Sequence, residues 1–449
     1  MKTLPRHQPG KRRDFDHRSP SKNEDVSNLI LVVRADPIIC GHSTEARNLA
    51  EAAIEMGMKS VHIVSYPIET LQGSGLPLKP LETISHYSQG ISVDRPEPIG
   101  DYKILDQRLS LGIAGHLTDL LYQLPGRTML MDLYLVPHGQ MVISAVSSFE
   151  HSGTNPSVFT VGEAVGSDIT NVVSNAIQAG KFGAAQMVLS NYLAHDLPVA
   201  VSAFTRDMIV EAGQEVDNAL HTTFAEQLRR RVQISFPAID TKAYTTIESR
   251  SSEQAEILRQ RNLTPDGYLM FLSRIAPAKG VDDLIEAYKS SELYGRKQLV
   301  ICGNGPSKAA IQALAATDSN IRVLDDVSDD EKGFLMHGCF AWCLPSKPQP
   351  EFIETFGIAV AEKMLAGGLG PVITTRTGGI PEASGGFCLE HEAGNVGELR
   401  NCLNQAAAMS PTDRENLNRA ARDFALTFDR QRVLQNLLAK TKVMGGLLA

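Results

Sequence analysis

No apolar stretch in this chain approaches the roughly 20 continuous residues that a bilayer-spanning helix needs, so a membrane-embedded protein is not expected. Positive charge is not in surplus either: 43 Lys and Arg stand against 51 Asp and Glu, a formal net charge of -8. A field of that sign repels polyanions, which argues against nucleic acid as a partner and against a basic membrane-binding face. An anionic ligand must instead be met by a local cluster of donors. The tightest basic run, Arg229, Arg230 and Arg231, reads as a solvated helix face.

Cysteine is sparse, 6 in 449 residues, with two in the apolar segment Cys339–Cys343 and none at zinc-ligand spacing. Such residues read as small core side chains rather than a disulfide framework. The opening segment 1–28 lacks the apolar core of a secretory signal and mixes Arg6, Lys11, Arg12, Arg13, Asp14 and Asp16 with serine and proline. It cannot bury enough to order itself, so a flexible tail is expected there. Reduced thiols and the missing signal point to the cytoplasm.

What is present is a globular composition, 43% hydrophobic and 21% charged, at a length that favours two domains. Short apolar runs recur at Leu29–Val33, Val61–Ser65, Met129–Val136, Ser157–Val161, Val199–Ser202 and Val232–Phe236, with a helical pattern from about Ser43 to Met56 after a loop at Cys40 and Gly41. Repeated strand-helix alternation predicts a parallel sheet covered on both faces. The polar stretch 241–263 reads as a linker, after which the pattern restarts at Gly267–Ser273, Gln298–Cys302, Ile321–Leu324, Cys339–Leu344 and Pro371–Thr374. The expectation is two α/β domains, 29–240 and 264–425, facing a cleft into which strand ends and helix N-termini point. A terminal helix at about 426–449 is expected to pack back on the first domain.

Four motifs line the second half in order. Ser273-Arg274 and Lys279-Gly280 bracket the loop after one strand, offering a planar guanidinium fork and a point charge to an anion. Gly303-Asn304-Gly305-Pro306 follows the next strand and permits close backbone approach. Glu354-Thr-Phe356-Gly357-Ile358 leads into a helix carrying Glu362, with amides at the helix start able to meet a phosphate or sugar oxygen. Thr377-Gly-Gly-Ile-Pro-Glu382 comes last. Singly, each has a bland alternative: surface cations beside a loop, a tight turn, an acid favoured by a helix dipole.

Together and in this order they resemble the donor domain of the retaining glycosyltransferases of family 4, which have the GT-B fold of two facing Rossmann-like domains. The resemblance covers most of the second domain strongly and the first faintly. It implies transfer of a hexose from a nucleotide diphosphate sugar, UDP before GDP, to a small soluble acceptor such as a sugar, a sugar phosphate or a specialised metabolite. The nucleotide sugar is a co-substrate, and neither a metal nor a cofactor is expected. By the resemblance, Arg274 and Lys279 bind the diphosphate, Glu362 the ribose, and Glu354 with the amides of Phe356, Gly357 and Ile358 the hexose. Gly303 and Gly305 shape the nucleotide pocket, Arg322 and Val323 lie beside the base, and Gly41 stands where the family has a glycine-rich loop. The segment with Arg206 resembles the family's helix before the linker and is an acceptor-side candidate.

One departure bears on mechanism. Where many members carry a histidine before a Gly-Ser-Asp turn, this chain reads Val165-Gly166-Ser167-Asp168. His138 is the candidate to face the cleft in its place, Glu163 a candidate acceptor-side base, and Glu351 in the proline-rich segment 345–353 an alternative sugar ligand. An epimerase or phosphorylase of the same fold, or a nucleotide-sugar-binding protein without turnover, are the rival readings.

Overall fold

A computed structural model describes residues 25–34, 36, 41–73, 86–100, 107–350 and 352–447. Residues 1–24 of the expected tail, with Cys40 and Glu351, lie outside them. Residues 26–28, read as the end of that tail, already belong to the first strand.

The first sheet holds seven parallel strands: β1 (Val26–Val32), β2 (Ser60–Val64), β3 (Ile91–Asp94), β4 (Arg127–Asp132), β5 (Val158–Ala164), β6 (Leu197–Ala200) and β7 (Gln233–Ile234). Their order is β3-β2-β1-β4-β5-β6-β7. Side chains alternate along β1, which is why its apolar run is continuous. Leu29, Leu31 and Val33 pack on one face with Met129, Met131 and Leu49, while Ile30 and Val32 pack on the other with Leu130, Leu117 and Met141. Each such fully buried side chain contributes about 1.5–3 kcal/mol relative to exposure.

The second sheet holds β8 (Tyr268–Leu272), β9 (Gln298–Cys302), β10 (Ile321–Leu324), β11 (Ala341–Leu344), β12 (Val372–Thr375) and β13 (Leu389–His391), in the order β10-β9-β8-β11-β12-β13. Both sheets reverse direction of addition beside their first strand, β1 against β4 and β8 against β11. Crevices at such reversals are where open α/β sheets bind ligands.

Two edge strands, β3 and β13, were not foreseen. Each pairs on one side only and is short and part-polar, so neither needs the apolar run that marks a central strand. The expected strand Met129–Val136 stops at Asp132, and the chain then winds through a helical turn, Leu135–Gly139, into the helix Gln140–Ser147. The stretch 241–263 is not an extended linker. It forms the helical pieces Lys242–Thr245, Ile247–Arg250 and Ser251–Gln260, and Tyr244, Ile247, Leu258 and Leu263 are part of the second core.

The chain crosses between domains twice at one place: the Ile239 amide donates to Phe428 O and the Arg430 amide to Ile239 O, both at 2.9 Å. Phe236, Phe356 and Phe428 pack together there, with ring centroids 5.1–5.5 Å apart. Beyond the crossing, the helix Arg430–Leu447 places Val433, Leu434 and Leu437 in the first-domain core. No helix of the described residues is long and apolar enough to cross a membrane.

Candidate functional site

The end of β8 feeds the Ser273–Gly280 loop. Arg274 is exposed there, and Lys279 closes a short helical turn, Pro277–Lys279. Lys279 Nζ donates to Glu354 and lies 4.7 Å from the Phe352 ring centroid. The proline-rich loop supports this pair, because Lys347 Nζ bonds Asp282 at 2.9 Å and Asp283 at 2.8 Å on the helix that follows Lys279. Gly303 and Gly305 act one step back. A side chain at either would come within 2.0 Å of Ser273 O or 2.3 Å of Ile275 O, so the close approach they permit is to the arginine loop itself.

Gly357 has φ +99° and opens the helix Ile358–Ala366. That conformation suits glycine and turns the preceding backbone so that the amides of Phe356, Gly357 and Ile358 donate to no acceptor among the described residues. Three consecutive unpaired amides at a helix N-terminus form an anion cradle. The Phe356 side chain is in the core, so only its backbone faces the cleft. Further along the helix, Glu362 is 8% exposed and accepts from Lys332 Nζ at 2.8 Å. Burial lowers the Lys332 ammonium, but the charge and hydrogen bond of Glu362 outweigh it and the net shift is upward. The Tyr244 phenol, buried beside the same carboxylate, is held well above its usual range.

The first domain supplies the opposite wall. Gly41 begins the helix Gly41–Glu55, and a Cβ there would lie 3.4 Å from Ile358 Cδ1 across the cleft. Asp168 organises the Val165 turn by accepting from the amides of Leu135, Val165, Gly166 and Ile169 at 2.9–3.2 Å. Val165 O in turn accepts from Thr355 Oγ1 at 2.8 Å, tying this turn to the residue after Glu354. Glu382 reaches the other way, accepting from the amides of Ala203 at 2.8 Å and Phe204 at 2.9 Å, the first turn of the helix Ala203–Leu220.

The remaining candidates disperse. His138 is 1% exposed in the turn after β4, with both ring nitrogens unpartnered; burial, with Arg34 and His42 nearby, lowers its pKa to about 3. Its ring centroid lies 5.9 Å from that of Tyr66 and 6.3 Å from that of Tyr134. Glu163 is fully buried in β5, its carboxyl held well above the usual range by burial and then by Glu45, Asp132 and Asp168. A carboxyl sealed inside the sheet does not present a base to the cleft, which corrects the acceptor-side reading of Glu163. Arg206 pairs with its neighbour Asp207 at 2.8 Å. Arg322 donates to Arg261 O, and Val323 packs on the second core.

Lys332, Thr355, Arg34 and the cross-cleft role of Glu382 were not foreseen. Only Arg34 had a signal of position, as a cation just past the first strand of a parallel sheet. Among the described residues, no group of three or more His, Cys, Asp and Glu side chains is gathered to hold a metal ion.

Residues 253–423 match the family model for glycosyl transferases group 1. No curated protein matches the chain. Among solved structures, the chain is similar to Anabaena Alr3699/HepE in complex with UDP and glucose, at 15% identity over 92% of this chain and 99% of that one, with a TM-score of 0.63. Sucrose-phosphate synthase from Thermosynechococcus elongatus aligns at 15% identity over 92% and 97%, with a TM-score of 0.61. An E. coli structure described as trehalose-6-phosphate bound with UDP-2-fluoro glucose aligns at 13% identity over 93% and 99%, with a TM-score of 0.59. These likenesses establish the GT-B architecture, and the matched domain with them supports a glycosyltransferase.

Proposed function

We propose that this glycosyltransferase moves a hexose from a UDP-sugar to a small soluble acceptor in the cytoplasm, with retention of anomeric configuration and without a metal. The observation that carries the reading is the anion cradle of Phe356, Gly357 and Ile358, flanked by the Lys279–Glu354 pair, with Arg274 exposed on the loop that carries Lys279. A departing diphosphate gains charge, and fixed amides and cations aimed at it lower the barrier without reorganising. Lys279 and Glu354 neutralise each other. A donor entering between them exchanges that contact for lysine on phosphate and glutamate on sugar hydroxyls.

Glu362, steadied by Lys332, is the acceptor for the ribose diol. Retention follows from attack on the face that the diphosphate leaves, with a leaving phosphate oxygen taking the acceptor proton. A double displacement would need a carboxylate nucleophile at the anomeric carbon. Glu163 is buried within its own domain, and Glu354 is taken up by the sugar hydroxyls once the donor is bound. UDP is favoured over GDP because Alr3699/HepE and the E. coli structure hold UDP or a UDP-sugar.

The test is a donor-dependent transfer assay in the presence of a chelator, with the anomeric configuration of the product read by NMR. Arg274→Ala and Glu362→Ala, made separately in folded protein, are each expected to cut turnover about 100-fold or more. Unchanged kinetics in both variants would remove the site assignment, and an inverted product would remove the retaining step.

A further inference from the structure

The end of the first sheet that lies away from the donor domain holds a cavity of about 520 Å³, a volume that takes a small molecule. Val26 and Arg127, which begin β1 and β4 and stand opposite each other in the ladder, line it. Met56 and Met58, between the helix Gly41–Glu55 and β2, line it from one side, and Leu438 of the helix Arg430–Leu447 from another. β1 carries the chain about 20 Å from this cavity to the strand ends that face the donor domain. The cavity shares no residue with the site built on Arg274, Lys279, Glu354 and the helix amides.

Arg127 is 9% exposed, yet its guanidinium donates to no acceptor and pairs with no carboxylate among the described residues. Its guanidinium carbon lies 5.7 Å from the Phe159 ring centroid, and side-chain alternation puts it on the face of β4 that carries Met129 and Met131. That is the face covered by the two helices that flank the cavity. A guanidinium kept from water without an acceptor is costly, and this one borders a space large enough to hold its partner.

We infer that the cavity binds a small amphipathic carboxylate, with the carboxylate in the Arg127 fork and the apolar body against Met56, Met58 and Leu438. Methionine side chains adapt to an apolar guest of irregular shape. A planar carboxylate matches one guanidinium through two parallel hydrogen bonds. A phosphate needs more donors than the lining gives, because the two hydroxyls are spent: Ser27 Oγ donates to Arg127 O at 3.4 Å and Thr441 Oγ1 to Leu438 O at 2.7 Å. At the exposed rim, Lys59 and Asp25 offset each other in charge, which leaves Arg127 to select a monoanion.

Calorimetry on the full chain tests this with hexanoate, 1-hexanol and inorganic phosphate, each with and without saturating UDP. Hexanoate should bind at least about tenfold more tightly than hexanol or phosphate, as a charge-assisted hydrogen-bonded pair implies, and UDP should leave its affinity unchanged. Arg127→Met, which keeps an apolar stem on Phe159, should bring hexanoate down to the level of hexanol. Leu438→Trp, which fills the cavity and spares the guanidinium, should weaken hexanoate about tenfold or more. In the wild type, NMR of the methionine methyl groups should show Met56 and Met58 shifting on addition of hexanoate, a readout that needs no variant to fold. Hexanoate bound no better than hexanol or phosphate overturns the inference. So does its displacement by UDP, its undiminished binding in either folded variant, or Met56 and Met58 signals that stay in place.

Discussion

Removing the Glu382 carboxylate should loosen the cleft without unfolding either domain. Glu382 sits on the second domain, in the short helix Ile380–Ser384, yet its two oxygens accept from the Ala203 and Phe204 amides of the first. Those amides belong to the first turn of the helix Ala203–Leu220, where Ser202 already caps Thr205 at 3.0 Å. A carboxylate there satisfies two orphan donors and complements the positive end of the helix dipole. Hydrogen bonds to a charged group are worth about 1.5–3 kcal/mol each when sealed from water. Glu382 is half-buried and the freed amides can bind water, so a net loss of about 1–2 kcal/mol is the reasonable figure for the pair. That shifts the balance between the joined and separated domains by about 5–30-fold. Small-angle scattering of Glu382→Ala should show a larger radius of gyration, and the KM for the donor should rise by a comparable factor, since the donor needs both walls. Glu382→Gln keeps one acceptor oxygen and should fall between the two. An unchanged scattering curve together with unchanged donor affinity in folded Glu382→Ala would refute the latch.

Two further predictions concern the buried ionisable groups of the first domain. Burial raises the Glu45 carboxyl to about 7, so the folded state holds a proton that the unfolded chain releases near 4.5. The stability this supplies is complete below pH 4.5 and is lost as pH rises through about 7; Glu45→Gln, which keeps an oxygen for the Ala238 amide, should gain on the wild type by about 3 kcal/mol between pH 4 and 8 in urea melts. Parallel pH profiles for the two proteins would refute this. His138 has the opposite sign: folded, it titrates near 3, so stability present above about 6.5 is lost as pH falls and the unfolded imidazole takes up a proton. His138→Leu should therefore be about 1 kcal/mol more stable than the wild type at pH 7 and about 3 kcal/mol more stable at pH 5 in urea melts. A gap that does not widen on acidification would show that the imidazole is hydrated.

The second-domain motifs stand out in the sequence because their parts are contiguous. Arg274 and Lys279 bracket one loop, and Glu354, Gly357 and Glu362 fall on one loop-helix junction, so a single strand end fixes several of them at once. Glycines mark these places in the sequence because only they fit: Gly303 and Gly305 would strike the Ser273–Ile275 backbone with any side chain. Central strands were readable for a related reason, since a strand buried on both faces must be apolar throughout. Edge strands such as Ile91–Asp94 carry no such demand. The stretch 241–263 misled because most of its surface is polar, and the few side chains that enter the second core, Tyr244, Ile247, Leu258 and Leu263, are too widely spaced to stand out from it.

The first-domain cluster at the strand ends was not readable, and the reason is topological. Arg34, Tyr66 and Tyr134 come one per loop from three separate strands, and no spacing rule links them along the chain. They become neighbours only through the pairing of β1 with β2 and with β4, which sets Val32 level with both Val64 and Asp132. A register shift of one residue in either pair would break that level and send each β1 side chain to the opposite core face, where it does not fit. The packing that makes β1 apolar on both faces therefore also fixes where Arg34 emerges. What the rim of this sheet can bring together depends on register as much as on the residues themselves.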